Sequence, residues 1–151
     1  MKKTIFLAVM VLTGSISAIA QKINVSKVPD AVKTGFGKKY PGVTGTWEKE
    51  DGKFEVNFKQ DGKELSVLLD ADGNIAETET AIKNSELPAA AITYVAQNYK
   101  GKKVTEAAKI VKANGTINYE AEVGGKDLVF DMNGKFIKAE KQEKNEKNEK
   151  D

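Results

Sequence analysis

The sequence predicts an α+β fold: two tandem helix-plus-antiparallel-sheet repeats, with the helices packed on one sheet face. Three observations predict it. A unit of about sixty residues recurs, because Val28-Pro29-Asp30-Ala31-Val32, Phe36 and Tyr40-Pro41-Gly42 return as Leu87-Pro88-Ala89-Ala90-Ala91, Val95 and Tyr99-Lys100-Gly101 at a constant offset of 59. Further on, Leu69-Asp70-Ala71-Asp72-Gly73-Asn74-Ile75 matches Phe130-Asp131-Met132-Asn133-Gly134-Lys135-Phe136 at an offset of 61. Within each copy the apolar period changes from four residues to two, the switch from a helix to half-buried strands.

Residues 1–20 read as a secretory signal peptide cut between Ala20 and Gln21. Lys2 and Lys3 precede the apolar run Ile5–Leu12, which is too short to span a bilayer, and Ala18-Ile19-Ala20 supplies the small residues of a cleavage site. The first repeat, residues 21–84, opens with a helix from Val28 to Tyr40. Val28, Val32, Phe36 and Tyr40 form one stripe, Pro29 suits the first turn, Ser26 is positioned to cap, and Pro41-Gly42 stops it. A helix of this length is marginal alone, so its stripe must pack on a sheet.

The sheet follows. Phe54, Val56 and Phe58 alternate with Glu55, Asn57 and Lys59; Asp61-Gly62 turns the chain; Leu65, Val67 and Leu69 return; and Asp72-Gly73 leads into a strand from Ile75 to Thr80. A strand near Thr46–Glu50, joined by Asp51-Gly52, precedes this hairpin. The second repeat, residues 85–140, has its helix stripe at Leu87, Ala91, Val95 and Tyr99. Strands follow near Val104–Val111, Ile117–Val123, Leu128–Phe130 and Phe136–Glu140, with turns at Asn114-Gly115, Gly124-Gly125 and Asn133-Gly134. Residues 141–151 hold four Lys, three Glu and one Asp among Asn and Gln, with no apolar side chain, the composition of a disordered tail.

Composition prunes chemistry. Without the signal, 22 Lys face 22 Asp and Glu, so the mature chain is near neutral and a nucleic-acid partner is disfavoured. All cationic side chains are Lys; Arg, His and Cys are absent. That removes bidentate Arg clamps, His- or Cys-based nucleophile pairs, the usual zinc sites and disulfides. No other apolar stretch has membrane length, so no span remains after signal removal.

The quoted motifs resemble a known family, the secreted PepSY-like, beta-lactamase-inhibitor-like proteins (BLIP-like). The resemblance rests on the [Val/Leu]-Pro-x-Ala helix start, Tyr40-Pro41-Gly42, Trp47, the Phe54-Glu55-Val56 and Tyr119-Glu120-Ala121 strands, and the Asp-x-[Asp/Asn]-Gly turns, and covers roughly Ile23–Glu140. It implies tandem helix-on-sheet units whose sheet forms a curved face, with no catalytic residues and no cofactor to carry over.

The sites compete with plainer roles. Asp70, Asp72 and Asp131 suggest calcium, but the spacing is not that of an EF-hand loop and Asp-Gly and Asn-Gly also make tight turns. Trp47, opposite Ala107 in the other copy, is either core or a binding anchor. Glu48, Glu50 and Asp51 could be imagined as paired acids of a hydrolase, against the plainer reading of a solvated strand face. The expected function is an exported non-enzymatic binding or regulatory module that restrains an envelope or secreted protein, in the periplasm or outside the cell. Its expected contact residues are Trp47, Lys49, Asn57, Lys59, Asn118, Glu120 and Glu122, all but Trp47 on the side away from the helices. The alternatives are an envelope metal- or small-ligand-binding protein using the aspartate turns, and a carboxylate-dependent hydrolase.

Overall fold

A computed structural model describes residues 21–141; the expected signal peptide and all but the first residue of the expected tail lie outside the described residues. The chain runs β1 (Gln21–Ile23), α1 (Asp30–Lys39), β2 (Thr46–Glu50), β3 (Lys53–Gln60), β4 (Lys63–Leu69), β5 (Ile75–Ile82), α2 (Ala89–Asn98), β6 (Val104–Lys112), β7 (Ile117–Val123), β8 (Lys126–Asp131) and β9 (Phe136–Lys141). The strands form one antiparallel meander in which spatial order equals chain order. The β5–β6 ladder, Glu77↔Lys112 to Ile82↔Ala107, joins the two repeats into one sheet.

Asp51-Gly52 and Asp61-Gly62 turn the chain with both residues at positive φ, from 46° to 77°. That is the type I′ geometry whose twist matches paired strands. Each helix is shorter than its stripe because a three-residue 3-10 turn precedes it, Val25–Lys27 or Asn84–Glu86. Ser26 is therefore not the helix cap. It lies inside the turn and donates its N–H to the Asn24 side chain, while the N-cap of α1 is Pro29, which makes no side-chain cap bond. Strand β1 was not foreseen: with one apolar residue in three it has no readable period.

Both helices cover the same sheet face. The side chains Val28, Val32, Phe36 and Tyr40 pack on Trp47, Phe54, Val56, Phe58, Val67 and Leu69. Phe36 sits among Tyr40, Trp47 and Phe58 at ring-centroid distances of 5.3, 5.6 and 5.2 Å. Each such burial contributes roughly 1.5–3 kcal/mol, which makes up for weak helix propensity. Leu87, Ala91 and Val95 pack likewise on Ala107, Ala121, Val123, Leu128 and Phe130.

These are two apolar clusters, not the single interior that fused repeats would give. The reason lies in β5, whose helix-side positions opposite Val67 and Leu65 are Thr78 and Thr80. Beyond them Lys109 and Val111 follow on β6, and this polar seam divides the apolar layer.

Candidate functional site: the helix-free sheet face

Period-two alternation sends every second strand residue to the face that no helix covers. Registers across the sheet place Lys22, Glu48, Glu55, Leu68, Glu77 and Lys112 in one row. A second row holds Asn57, Ser66, Glu79, Ile110 and Asn118. A third runs through Ala81, Ala108, Glu120, Val129 and Lys138.

On a flat uncovered face these side chains would be half in water. Instead Glu48, Glu55, Glu77, Glu79, Asn118, Glu120 and Asp127 are all buried. Glu77 on β5 feels Lys138 on β9, four strand spacings or about 19 Å away along the sheet. The charges on this face therefore act on one another across several strands.

Gathering carboxylates out of water raises their proton affinity. Burial lifts the Glu48 carboxyl, against the pull of Lys22. Burial likewise lifts Glu77, opposed by Lys112, Lys53 and Lys138. Glu79 is pushed well up by burial and then by Glu120, Glu55, Glu77 and Asp127. Glu120 is pushed up to about 9 by burial, then by Asp127 and Glu140, with Lys138 opposing. At neutral pH Glu120 is therefore a neutral acid.

Some polar capacity is met locally. The Ser66 hydroxyl donates to Glu55 Oε1. Lys138 Nζ donates to Glu140 Oε1 at 2.6 Å, and Lys59 pairs with Glu64 at 2.8 Å. Among the described residues, three buried side-chain atoms have no hydrogen-bond partner: Glu48 Oε1, Asn57 Nδ2 and Glu77 Oε1. Their registers put all three on this face. An unmade buried hydrogen bond costs about 1–3 kcal/mol.

Of the residues picked from the sequence, Asn57, Lys59, Asn118, Glu120 and Glu122 occupy this face. Lys49 does not: alternation from inward-facing Trp47 puts it on the helix side, where its ammonium lies 5.5 Å from the Phe54 ring centroid. Trp47 is buried and edge-on to Phe36, part of the first core. Sequence reasoning missed Glu48, Glu55, Glu77, Glu79 and Asp127 as a group. Glu55, between Phe54 and Val56, carried the signal of alternation; Glu77 and Glu79 alternate with Thr78 and Thr80 and carried none, and the convergence of the acids needs the register of every strand from β2 to β8.

The aspartate turns lie elsewhere. Asp70 Oδ1 accepts N–H bonds from Asp72 and Asn74, and its Oδ2 accepts from the Asn74 amide. Asp131 Oδ1 accepts from Asn133 and Lys135. Each carboxylate closes its own loop, which then packs on a helix: a Cβ on Gly73 would fall 2.2 Å from the Ala31 carbonyl oxygen. Shallow grooves beside each loop, one lined by Thr34, Lys38, Asp72 and Asn74 and the other by Thr93, Tyr94, Gln97 and Lys135, contain no pair of acids. Among the described residues no three His, Cys, Asp or Glu are grouped to hold a metal ion, and no helix is long and apolar enough to cross a membrane.

A family model described as "Putative beta-lactamase-inhibitor-like, PepSY-like" matches residues 15–77 and again 52–138. No curated protein matches the chain. Among solved structures, one described as "putative periplasmic proteins" from Bacteroides eggerthii aligns with a TM-score of 0.68 at 19% identity, over 76% of this chain and 88% of that one. A DUF2874 family protein from Bacteroides uniformis gives 0.66 at 20% identity, over 75% and 88%. A BLIP-like protein from Bacteroides fragilis gives 0.57 at 26% identity, over 75% and 86%.

Proposed function

Because this chain belongs to the PepSY-like, beta-lactamase-inhibitor-like family, we propose that it is an exported, non-enzymatic binding module that grips an envelope or secreted protein with its helix-free sheet face. The carrying observation is that the helix-free face keeps buried polar atoms without hydrogen-bond partners at Glu48, Asn57 and Glu77. A fold that needed this face only as an outer surface would gain by leaving those groups in water. The opposite face is already occupied by α1 and α2, so it offers no comparable sheet surface. The described relative from Bacteroides eggerthii and the signal-like residues 1–20 support a periplasmic location.

Capture from an envelope extract on the immobilised mature chain tests this. A Lys59→Glu, Glu122→Lys variant alters the sheet face, and a Lys38→Glu, Gln97→Lys variant alters the helix side, without touching either core. Loss of retained protein with the first variant only is the expected result. Equal retention by both variants sinks the reading.

The hydrolase reading draws on one observation, the raised proton affinity of Glu79 and Glu120 beside other carboxylates. Hydrolysis of chromogenic glycosides that disappears in Glu120→Gln would favour it. The aspartate-turn metal reading is tested by calcium calorimetry on Asp70→Asn.

A further inference from the structure

The internal repeat shows what the last strand of the sheet is equipped to do. Strand β9 stands where β5 stands in the first copy: Phe136 aligns with Ile75, and Lys138 with Glu77, at the offset of 61. Both strands carry the same irregularity. In β5 the register steps from Leu69↔Ile75 to Leu68↔Glu77, and in β9 from Phe130↔Phe136 to Val129↔Lys138, so Ala76 and Ile137 are the extra residues. Beyond its bulge β5 pairs with β6 as well, from Glu77↔Lys112 to Ile82↔Ala107. Strand β9 ends the sheet order, with β8 as its one strand neighbour among the described residues. The same backbone shape is flanked on both sides in the first copy and on one side in the second.

An edge strand offers its outward backbone groups to any strand that can lie beside it. The bulge is no obstacle, since β5 carries it and is paired beyond it. Charge decides which strand fits. Side chains directly opposite in an antiparallel pair share a face, where unlike charges attract and like charges repel. In the filled ladder Glu77 faces Lys112. On β9 Lys138 and Glu140 stand two residues apart on the helix-free side, in contact with each other at 2.6 Å. A strand that suits them offers an acid opposite Lys138 and a base opposite Glu140. Strand β9 does so when read backwards. The other edge of the sheet, β1, has three residues and Lys22 as its only charge, so it cannot answer both.

We propose that the outer edge of β9 is a self-pairing site, at which two copies of this chain join β9 to β9 antiparallel about a two-fold axis at Ala139. Lys138 then faces the partner's Glu140, and Glu140 faces the partner's Lys138. The axis stands upright on the sheet, so the helices of both copies stay on one side and the two helix-free faces become continuous. This goes beyond the docking role above and does not depend on it. A two-fold contact closes on itself, so the product is a dimer and not a fibre. One short strand pair is a small contact, against roughly 1,000 Å² or more for a stable interface, so the association is weak and reversible.

Sedimentation equilibrium of the chain from Gln21 onward, between about 10 μM and about 1 mM, tests this. The mass should rise with concentration toward two copies and no further. Lys138→Glu alone and Glu140→Lys alone each set like charges across the axis, and each should weaken self-association about tenfold. Mixed one to one, the two variants regain an unlike pair at both positions and should associate as the unaltered chain does. So should the double variant Lys138→Glu, Glu140→Lys, whose net charge is unchanged. Melting temperatures show which variants are folded. Lys138 also acts on Glu77 and Glu120 within its own chain, so amide exchange on the unaltered chain covers the case in which Lys138→Glu unfolds. Protection in β9 should grow with protein concentration while β1 stays as it was.

Four outcomes overturn the proposal. One is a mass that stays at one copy up to about 1 mM. Another is a mass that climbs past two copies with protection growing at β1, the mark of head-to-tail stacking. A third is β9 protection that is independent of concentration, which would assign the edge to residues 142–151 of the same chain. The last is self-association that a folded Glu140→Lys variant leaves unchanged.

Discussion

Glu120 illustrates how position alone rewrites the chemistry of one carboxyl group. Its proton affinity rises from 4.5 to about 9 because burial removes the water that would solvate its charge and Asp127 adds repulsion. Below pH 4.5 both folded and unfolded chains hold this proton; between 4.5 and about 9 only the folded chain does. Folding therefore takes up a proton in that window, and stability falls as pH rises, by up to about 1.4 kcal/mol per pH unit for this one group. Urea unfolding at pH 5, 7 and 9 should show the decline, and Glu120→Gln should flatten it. Parallel profiles for the two proteins would mean that the carboxyl is ionised in the folded chain.

Among the elements, the aspartate loops explain their own sequence best. Gly73 has φ +84°, and a Cβ there would meet the Ala31 carbonyl oxygen of α1. Gly52, at φ +77°, has nothing within 4 Å of the same construction. Both substitutions to alanine incur left-handed backbone strain of about 1–2 kcal/mol. Only Gly73→Ala must also push a helix off its sheet, so it should cost clearly more than Gly52→Ala in denaturant unfolding, and equal losses would refute the close-packing role.

The repeated Asp-x-[Asp/Asn]-Gly was legible as a turn, while the helix seated on it was not, since the contact joins segments far apart in the chain. Alternation likewise made β3, β4 and β7 legible from Phe54, Val67 and Ala121. It also held the correct side of Lys49, two residues from Trp47, a position masked by the habit of reading a lysine as outward. The acid cluster was illegible for a stronger reason: Glu48, Glu55, Glu79 and Glu120 meet only once strand order and register are known.

At the level of the molecule, a continuous backbone ladder carries two apolar clusters divided by Thr78 and Thr80 of β5. Phe36→Ala should remove about 3–5 kcal/mol from the first cluster. If the clusters respond separately, amide exchange will quicken in β2–β4 and stay slow in β6–β8. A uniform rise across all strands would mean that the β5–β6 ladder binds the halves into one cooperative unit. The meander has a different implication for how the chain reaches this state. Every strand pairs with the strand before it in the chain, through a short turn except at β1–β2 and β5–β6, where a helix lies between, so most rungs need only a short loop to close. The closure entropy of each step stays small, and a chain emerging end first can zip its sheet in the order of its synthesis, at rates set by short-range search.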